Sequence, residues 1–143
     1  MKKHCVIVNP AAGKGAAKQA IPEIRSCLDS LNINYDLILT TRPGHAIQLA
    51  EEAGSNGYHS VVAVGGDGTA NEVINGLMRS KIAGGGTAAL GVLCVGRGND
   101  FAYGVNIPVV AESVEERVRY AARHYGGVEV RHVKVHVAGV SRD

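Results

Sequence analysis

The residues best suited to chemistry form the run Val64-Gly65-Gly66-Asp67-Gly68-Thr69, in which an aspartate stands among three glycines directly after an apolar segment. Glycines allow successive backbone N–H groups to turn toward an anion, and the N-terminus of a following helix adds a positive dipole end. A carboxylate repels phosphate unless a divalent cation or a proton lies between them. Asp67 therefore predicts either Mg²⁺ bridging or a base for an attacking hydroxyl. A tight turn with a Thr69–Glu72 capping box is the structural alternative.

Two further glycine-rich loops follow apolar runs, at residues 9–15 (NPAAGKG) and 96–101 (GRGNDF). The first is not a Walker A loop, because Lys14 is followed by glycine rather than by serine or threonine. It is also a poor dinucleotide fingerprint, because Lys18 stands where a third glycine is expected. Thr40, Thr41 and His45 flank another turn, where a hydroxyl could contact a ribose or phosphate or could cap a helix.

Short apolar runs alternate with helical periodicities along the chain. Strands are expected at residues 5–8, 35–39, 61–64 and 89–95, and helices at 16–31, at 46–53 and from Thr69 onward. Pro22 predicts a kink in the first helix or a helix that begins there, and Gly54 and Gly57 are expected to end the second. A further helix over 113–125 and a strand over 128–137 follow.

This order predicts an α/β domain with three layers and a mostly parallel sheet. Because ligands bind at the carboxyl ends of parallel strands, the three glycine-rich loops are expected to converge on one crevice. The length of 143 residues fits one domain of ordinary size.

Composition excludes several classes of function. A net charge of +2, one Phe and no Trp argue against nucleic-acid binding. No apolar run is long enough for a signal peptide or a membrane span, so a membrane would be met only at its surface. Three widely spaced cysteines (Cys5, Cys27 and Cys94) predict reduced thiols in a cytoplasmic protein.

Residues 65–77 (GGDGTANEVINGL) resemble the signature of the diacylglycerol kinase catalytic domain, a family that includes bacterial lipid kinases and the sphingosine and ceramide kinases. Residues 9–14, 40–46 and 90–102 resemble its other nucleotide loops in the same order. The resemblance implies a phosphofructokinase/NAD kinase-like nucleotide-binding domain. It also implies that the protein, with Mg²⁺, transfers the γ-phosphate of ATP to a lipid hydroxyl of diacylglycerol or sphingoid type at the membrane surface.

The resemblance also assigns site residues by position. It implies that Asp67 is the catalytic residue and contacts Mg²⁺ through the nucleotide. The nucleotide-binding positions that it implies are Asn9, Pro10, Ala11, Ala12, Gly13, Thr40, Gly66, Asp67, Gly68, Thr69, Ala70, Asn71, Glu72 and Arg97. Where the family usually has Thr, Pro and Arg, this chain has Arg97, Cys94 and Tyr103. Arg97 could clamp a phosphate or block the adenosine side.

The expected division is an ATP-binding catalytic domain at residues 1–125, followed at 126–143 by the start of a second β-rich domain or by a truncated tail. Without a second domain the chain is expected to bind nucleotide weakly and to phosphorylate no lipid at an appreciable rate. An NAD kinase and an inactive nucleotide-binding module stay open as alternatives. An unpaired sheet edge or an exposed apolar face would favour a homo-oligomer.

Overall fold

The computed structural model of the chain describes residues 2–95 and the backbone of 134–137. Strands and helices alternate, as the periodicities predict. The elements are β1 (Lys3–Val8), α1 (Ala16–Ser30), β2 (Asn34–Leu39), α2 (His45–Ser55), β3 (Ser60–Gly65), α3 (Asp67–Ile82), β4 (Ala89–Cys94) and β5 (Lys134–Val137).

In the described part of the chain the strands form one sheet in the order β2-β1-β3-β4-β5, and every neighbouring pair is parallel. The register brings the strand ends level: Val8 lies opposite both Leu39 and Val64, and Gly65 lies opposite Cys94. The loops that follow β1, β2 and β3 therefore start from the same edge of the sheet, as expected for an α/β domain.

Two apolar cores cover the two faces of this sheet. On one face α1 packs its buried stripe of Ala17, Ala20, Ile24 and Cys27 against Val6, Val8 and Val64. On the other face α2 and α3 pack side by side over Cys5, Ile7, Val61 and Ala63. The three layers predicted from the sequence are thus helix, sheet and helices.

Small residues let α2 and α3 approach closely. A Cβ at Gly76 would clash with the carbonyl oxygen of Ile47 and would lie 2.7 Å from the Cβ of Ala50. Gly54 has a similar role, because its Cβ would lie 2.8 Å from the Cβ of Ser80. Gly54 lies inside α2 rather than ending it, which corrects the prediction. The helix ends at Ser55, and Gly57 follows it with a φ of 80°.

The structure also shows where α3 and α1 begin. α3 begins at Asp67 with Gly66 as its N-cap, so Thr69 lies inside the first turn and the predicted capping box is wrong. The side chain of Thr69 packs against Gly65 instead. α1 begins at Ala16 and continues through Pro22, which is exposed on its outer face, so the helix does not begin at that proline.

Some predictions concern residues that the structure does not describe. The loop at 96–101, including Arg97, and the helix predicted at 113–125 lie outside the described residues. Of the strand predicted at 128–137, residues 134–137 form β5 beside β4. The division of the chain at residue 125 stays a prediction.

Candidate functional site

The crevice expected from the sequence lies between β1 and β3, because the helices that follow these two strands pack on opposite faces of the sheet. β1 has β2 on one side and β3 on the other, and α1 and α3 pack on opposite faces of the sheet. Such a reversal opens a crevice at the carboxyl ends of the strands, where α/β sheets bind their ligands. The loops after β1 and β3 flank this crevice.

Backbone hydrogen bonds hold the start of each loop in register. The N–H of Asn9 donates to the carbonyl of Val64 at 3.0 Å, and that of Thr40 donates to the carbonyl of Val8 at 2.9 Å. On the far side of β3, the N–H of Val95 donates to the carbonyl of Gly65 at 2.9 Å. The first residues of these loops are therefore as well fixed as the strands that precede them.

The loop from β1 to α1 is wound tightly by its own backbone. The side-chain oxygen of Asn9 accepts from the N–H of Ala11 at 3.1 Å. Gly13, Lys14 and Gly15 then adopt left-handed φ values of 62°, 56° and 90°. A lysine rarely takes this conformation, since its Cβ approaches the backbone. The loop thus presents an exposed lysine between two glycines directly before the N-terminus of α1.

α3 starts with no intervening loop, because Gly65 ends β3, Gly66 is the N-cap and Asp67 is the first helical residue. At Gly65 a Cβ would clash with Thr69, whereas at Gly66 and Gly68 no described residue lies within 4 Å of an ideal Cβ. Gly65 is thus needed for packing, and the other two leave the backbone open to a ligand. Within the described residues no side chain caps this helix.

The acidic residues of α3 occupy different environments. Asp67 is half-buried in the first turn, where the helix dipole favours a negative charge. Glu72 lies farther along the helix, and its Oε1 is buried without a hydrogen-bond partner among the described residues. A buried carboxylate oxygen without a donor is costly. The sequence predicts Glu72 as a nucleotide-binding position, but it gives no sign that this oxygen is buried.

The predicted site residues separate into those that face the crevice and those that support it. Thr69 is 3% exposed and Ala70 fully buried, so only their backbone could contact a ligand. Asn9, Pro10, Ala12, Thr40, Gly66, Asp67 and Glu72 are half-buried, and Ala11, Gly13, Gly68 and Asn71 are exposed.

The remaining candidates contact each other rather than the crevice. The N–H of Thr41 donates to Nδ1 of His45 at 3.0 Å, and the hydroxyl of Thr41 lies 3.2 Å from the same nitrogen. This pair closes the turn before α2 but does not cap the helix, because Gly44 is the N-cap of α2 and no side-chain hydrogen bond caps it. Thr40 alone remains a candidate for contact with a ligand.

Comparison with known proteins identifies the family. A sequence model of the diacylglycerol kinase catalytic domain matches residues 3–133. This chain belongs to the diacylglycerol kinase catalytic domain family. It is 34% identical over 108 residues to a diacylglycerol kinase of Bacillus subtilis and 33% identical over 103 residues to one of Staphylococcus haemolyticus, covering 76% and 72% of the chain.

The fold of this chain is also similar to that of a solved protein structure. The crystal structure of a diacylglycerol kinase from Bacillus anthracis matches with a TM-score of 0.69 and 26% identity, covering 87% of this chain and 40% of that chain. The chain spans only 34% and 30% of the two curated relatives. The similarity therefore extends to the α/β fold and the family, over about a third of the relatives' length.

The residues of this family domain fit a nucleotide that carries Mg²⁺. Open backbone at Gly66 and Gly68 beside a helix N-terminus suits phosphate. The unpartnered oxygen of Glu72 suits a hydroxyl donor. Three or more metal-ligating side chains do not cluster anywhere in the described residues. A cation at Asp67 would therefore be held mainly by the phosphates of the nucleotide, because Mg²⁺ is usually bound by substrate phosphates together with one or two carboxylates.

Proposed function

We propose that the crevice between the β1–α1 and β3–α3 loops binds ATP with Mg²⁺, and that the chain is the nucleotide-binding part of a lipid kinase. The observation that carries this proposal is the meeting of two glycine-rich helix starts across the sheet reversal, held together by the bond between Asn9 and Val64. Helix N-termini bind phosphate through their N–H groups and their dipoles. Membership of the diacylglycerol kinase catalytic domain family supports it independently.

Each loop contributes to phosphate binding in a different way. Lys14 supplies a positive charge at the tip of the first loop, and the residues beside it supply backbone N–H groups. The first turn of α3 supplies the N–H groups of Gly68 and Thr69, since the first N–H that bonds within this helix start is that of Ala70, to Gly66 at 3.1 Å. Two convergent cradles suit a polyphosphate better than a single phosphate.

Glu72 is assigned to the sugar of the nucleotide. A carboxylate oxygen that is buried without a partner among the described residues gains a hydrogen bond from a hydroxyl donor, and ribose offers two such donors. Gly76, one turn farther along the same face of α3, packs against α2. We infer from this that Glu72 lies on the side of the crevice nearer α2. We propose that the ribose binds on this side, near Thr40, with the phosphates toward Asp67.

Asp67 is assigned to the transfer step. The oxygen of the lipid hydroxyl forms a bond to the γ-phosphorus, the bond from that phosphorus to the bridging oxygen of ADP breaks, and the hydroxyl proton passes to the Asp67 carboxylate. Mg²⁺, when bound with the nucleotide, neutralises charge on the phosphate oxygens. The N-terminus of α3 beside Asp67 stabilises the same charge, and its N–H groups are already oriented before the reaction begins.

The acceptor is proposed to be the hydroxyl of a diacylglycerol or of a sphingoid base. The curated relatives are named diacylglycerol kinases, which favours the first. No helix in the described part of the chain is long and apolar enough to cross a membrane. The proposed encounter with the lipid is at the membrane surface, where a diacylglycerol or sphingoid base presents its hydroxyl.

Nucleotide binding is tested by calorimetry with Mg²⁺ and ATP on wild type, Glu72→Gln and the matched control Glu23→Gln, which changes an exposed carboxylate on α1. Losing a charged acceptor for a buried hydrogen bond should weaken binding by roughly ten-fold or more, about 1.5–3 kcal/mol. The Glu23 variant should bind like wild type. Equal affinities in all three proteins would contradict the assignment of Glu72.

Transfer is tested with γ-labelled ATP and three acceptors, namely diacylglycerol in mixed micelles, a sphingoid base and NAD. Label on either lipid, abolished by Asp67→Asn without loss of ATP binding, would support the lipid kinase. Label on NAD would favour an NAD kinase instead. Nucleotide binding without transfer to any acceptor would leave a binding module that is inactive by itself.

A further inference from the structure

A second polar cluster lies at the edge of the sheet opposite the crevice, where β1 and β3 begin. His4 and Ser60 are Cα partners on these strands, and Nδ1 of His4 lies 2.6 Å from the hydroxyl oxygen of Ser60. The ring of His59 meets that of His4 edge to face, with centroids 5.4 Å apart and planes at 88°. Both imidazoles are half-buried. Two titratable rings in contact thus sit directly on a strand pairing.

Backbone hydrogen bonds tie the same residues to three strands. The N–H of His59 donates to the carbonyl of Lys3 at 2.8 Å, and the carbonyl of His59 accepts from the N–H of Ala89 at 3.1 Å. Through these bonds His59 links the start of β1 to the start of β4. A displacement of the His59 ring would therefore disturb these two hydrogen bonds at the start of β1 and β4.

The charges around His4 oppose its protonation. Burial holds the pKa of His4 below its ordinary value, and the nearby imidazole of His59 and the ammonium of Lys2 lower it further. On the same face, Tyr35 of β2 is the Cα partner of His4, and its hydroxyl donates to Asp29 of α1 at 3.0 Å.

The other titratable groups around this edge are already engaged. On the α1 side, Arg25 also contacts Tyr35, and Cys27 is buried in the core. On the opposite face of the sheet, Lys3 pairs with Asp36 at 2.9 Å, Tyr58 donates a hydrogen bond to Asp36, and Cys5 is buried. None of the contacts described for these acids is to an imidazole of the pair.

We propose that His4, in contact with His59 and Ser60, forms an acid-sensitive latch, which joins the first residues of β1 and β3 while the His4 ring is neutral and loosens this edge of the sheet when that ring is protonated. A protonated His4 ring is repelled by the ammonium of Lys2 and by any positive charge on the neighbouring ring of His59, and half-burial denies it full hydration. An opened edge separates and hydrates the rings, so it binds protons more readily than the closed edge. The latch is therefore closed above the ordinary histidine pKa of about 6.5 and weakens as the pH falls below it.

The first test follows the histidine ring signals by NMR during a pH titration of the full chain. The midpoint of His4 is expected below that of free histidine, and His59→Gln should raise it by removing a neighbouring charge. Ser60→Ala serves as the matched variant, because it removes the hydrogen bond and keeps both rings. A His4 midpoint at or above that of free histidine, or one unmoved by His59→Gln, would overturn the latch.

The second test measures opening of the edge by amide hydrogen exchange, corrected for intrinsic rates, between about pH 7.5 and about pH 5.5. Protection of the His59 and Ala89 amides should fall several-fold more than that of Asn9, whose N–H pairs with Val64 at the other edge of the sheet. In a His4→Gln/His59→Gln variant this excess should vanish. An equal fall at all three amides in wild type would overturn the proposal even if the variant failed to fold.

Discussion

Gly65 and Gly66 are neighbours with different roles. Gly65 is needed for packing against Thr69, whereas Gly66 leaves the backbone open to a ligand. A Cβ at Gly65 would clash with the hydroxyl of Thr69 and lie 2.9 Å from the Cβ of the same residue, whereas a Cβ at Gly66 would meet none of the described residues within 4 Å. Both glycines belong to one run in the sequence. Their different roles follow from where α3 starts.

Gly65→Ala should therefore destabilise the protein by about 1–3 kcal/mol, the usual cost of overpacking a core. The matched control Gly66→Ala should change the free energy of unfolding by less than about 1 kcal/mol, the cost of placing alanine at an N-cap. Urea denaturation of the two variants measures both values. A Gly65→Ala variant as stable as Gly66→Ala would show that Thr69 is not packed as described.

Asp36 offers a test of electrostatics at the β2 edge. The hydrogen bond from Tyr58 lowers the pKa of this carboxyl most, and the hydrogen bond from Lys3 lowers it further. Its folded pKa therefore lies below its unfolded one. The stability that it contributes is fully present above the unfolded value of about 3.9 and is lost as the pH falls through the folded value.

Denaturation curves between about pH 6 and about pH 3 should thus show a steeper loss of stability for wild type than for Asp36→Asn. Tyr58→Phe removes the largest cause of the lowered pKa and should reduce the slope in the same direction. If both variants kept the slope of wild type, the hydrogen bond between Tyr58 and Asp36 would have no energetic role.

At the scale of elements, the sequence predicted the strands and helices well because each has a clear apolar period. The run of four apolar residues from Val61 to Val64 is a buried parallel strand, and the stripe from Ala17 to Cys27 is one face of α1. The start of α3 was missed by two residues. Any Thr followed by Glu three residues later has the sequence pattern of a capping box. Only tertiary packing shows that Thr69 is buried in the first turn of the helix.

The candidate site was predictable in part. Glycine-rich loops after apolar strands predict a crevice at the carboxyl ends of a parallel sheet, and the order of the strands places the loops beside each other. The buried oxygen of Glu72 and the left-handed φ of Lys14 could not be predicted. Both depend on how helices and turns meet in space, which no spacing along the chain records.

The contact between α2 and α3 gives a prediction whose sign is opposite to ordinary helix propensity. An alanine in place of glycine inside a helix is normally stabilising by roughly 0.5–1 kcal/mol. At Gly76 the added Cβ would instead press against Ile47 and Ala50, so Gly76→Ala should destabilise by about 1–3 kcal/mol.

The matched control for this prediction is Gly68→Ala, in the first turn of the same helix, where no atom of the described residues lies within 4 Å of the added Cβ. Thermal unfolding should place the melting temperature of Gly76→Ala below that of wild type and that of Gly68→Ala at or above it. A rise in melting temperature for both variants would show that the two helices are farther apart than described.

At the scale of the whole molecule, the described residues combine a reversal of strand order with two glycine-rich helix starts. α1 and α3 leave the sheet on opposite faces, and the bond from Asn9 to Val64 holds β1 and β3 together directly beneath the crevice. The proposed reaction depends on this arrangement, because phosphoryl transfer depends mainly on position and on neutralised charge.

The most direct measurement is an NMR titration of the ¹⁵N-labelled chain with ADP and Mg²⁺, which reads every backbone amide. The crevice predicts saturable shifts at residues 9–16, at Thr40 and at residues 65–72, with the amides at the opposite edge, among them His59 and Ala89, unchanged. Shifts confined to that opposite edge, or no shifts at millimolar nucleotide, would contradict a nucleotide site between the β1–α1 and β3–α3 loops.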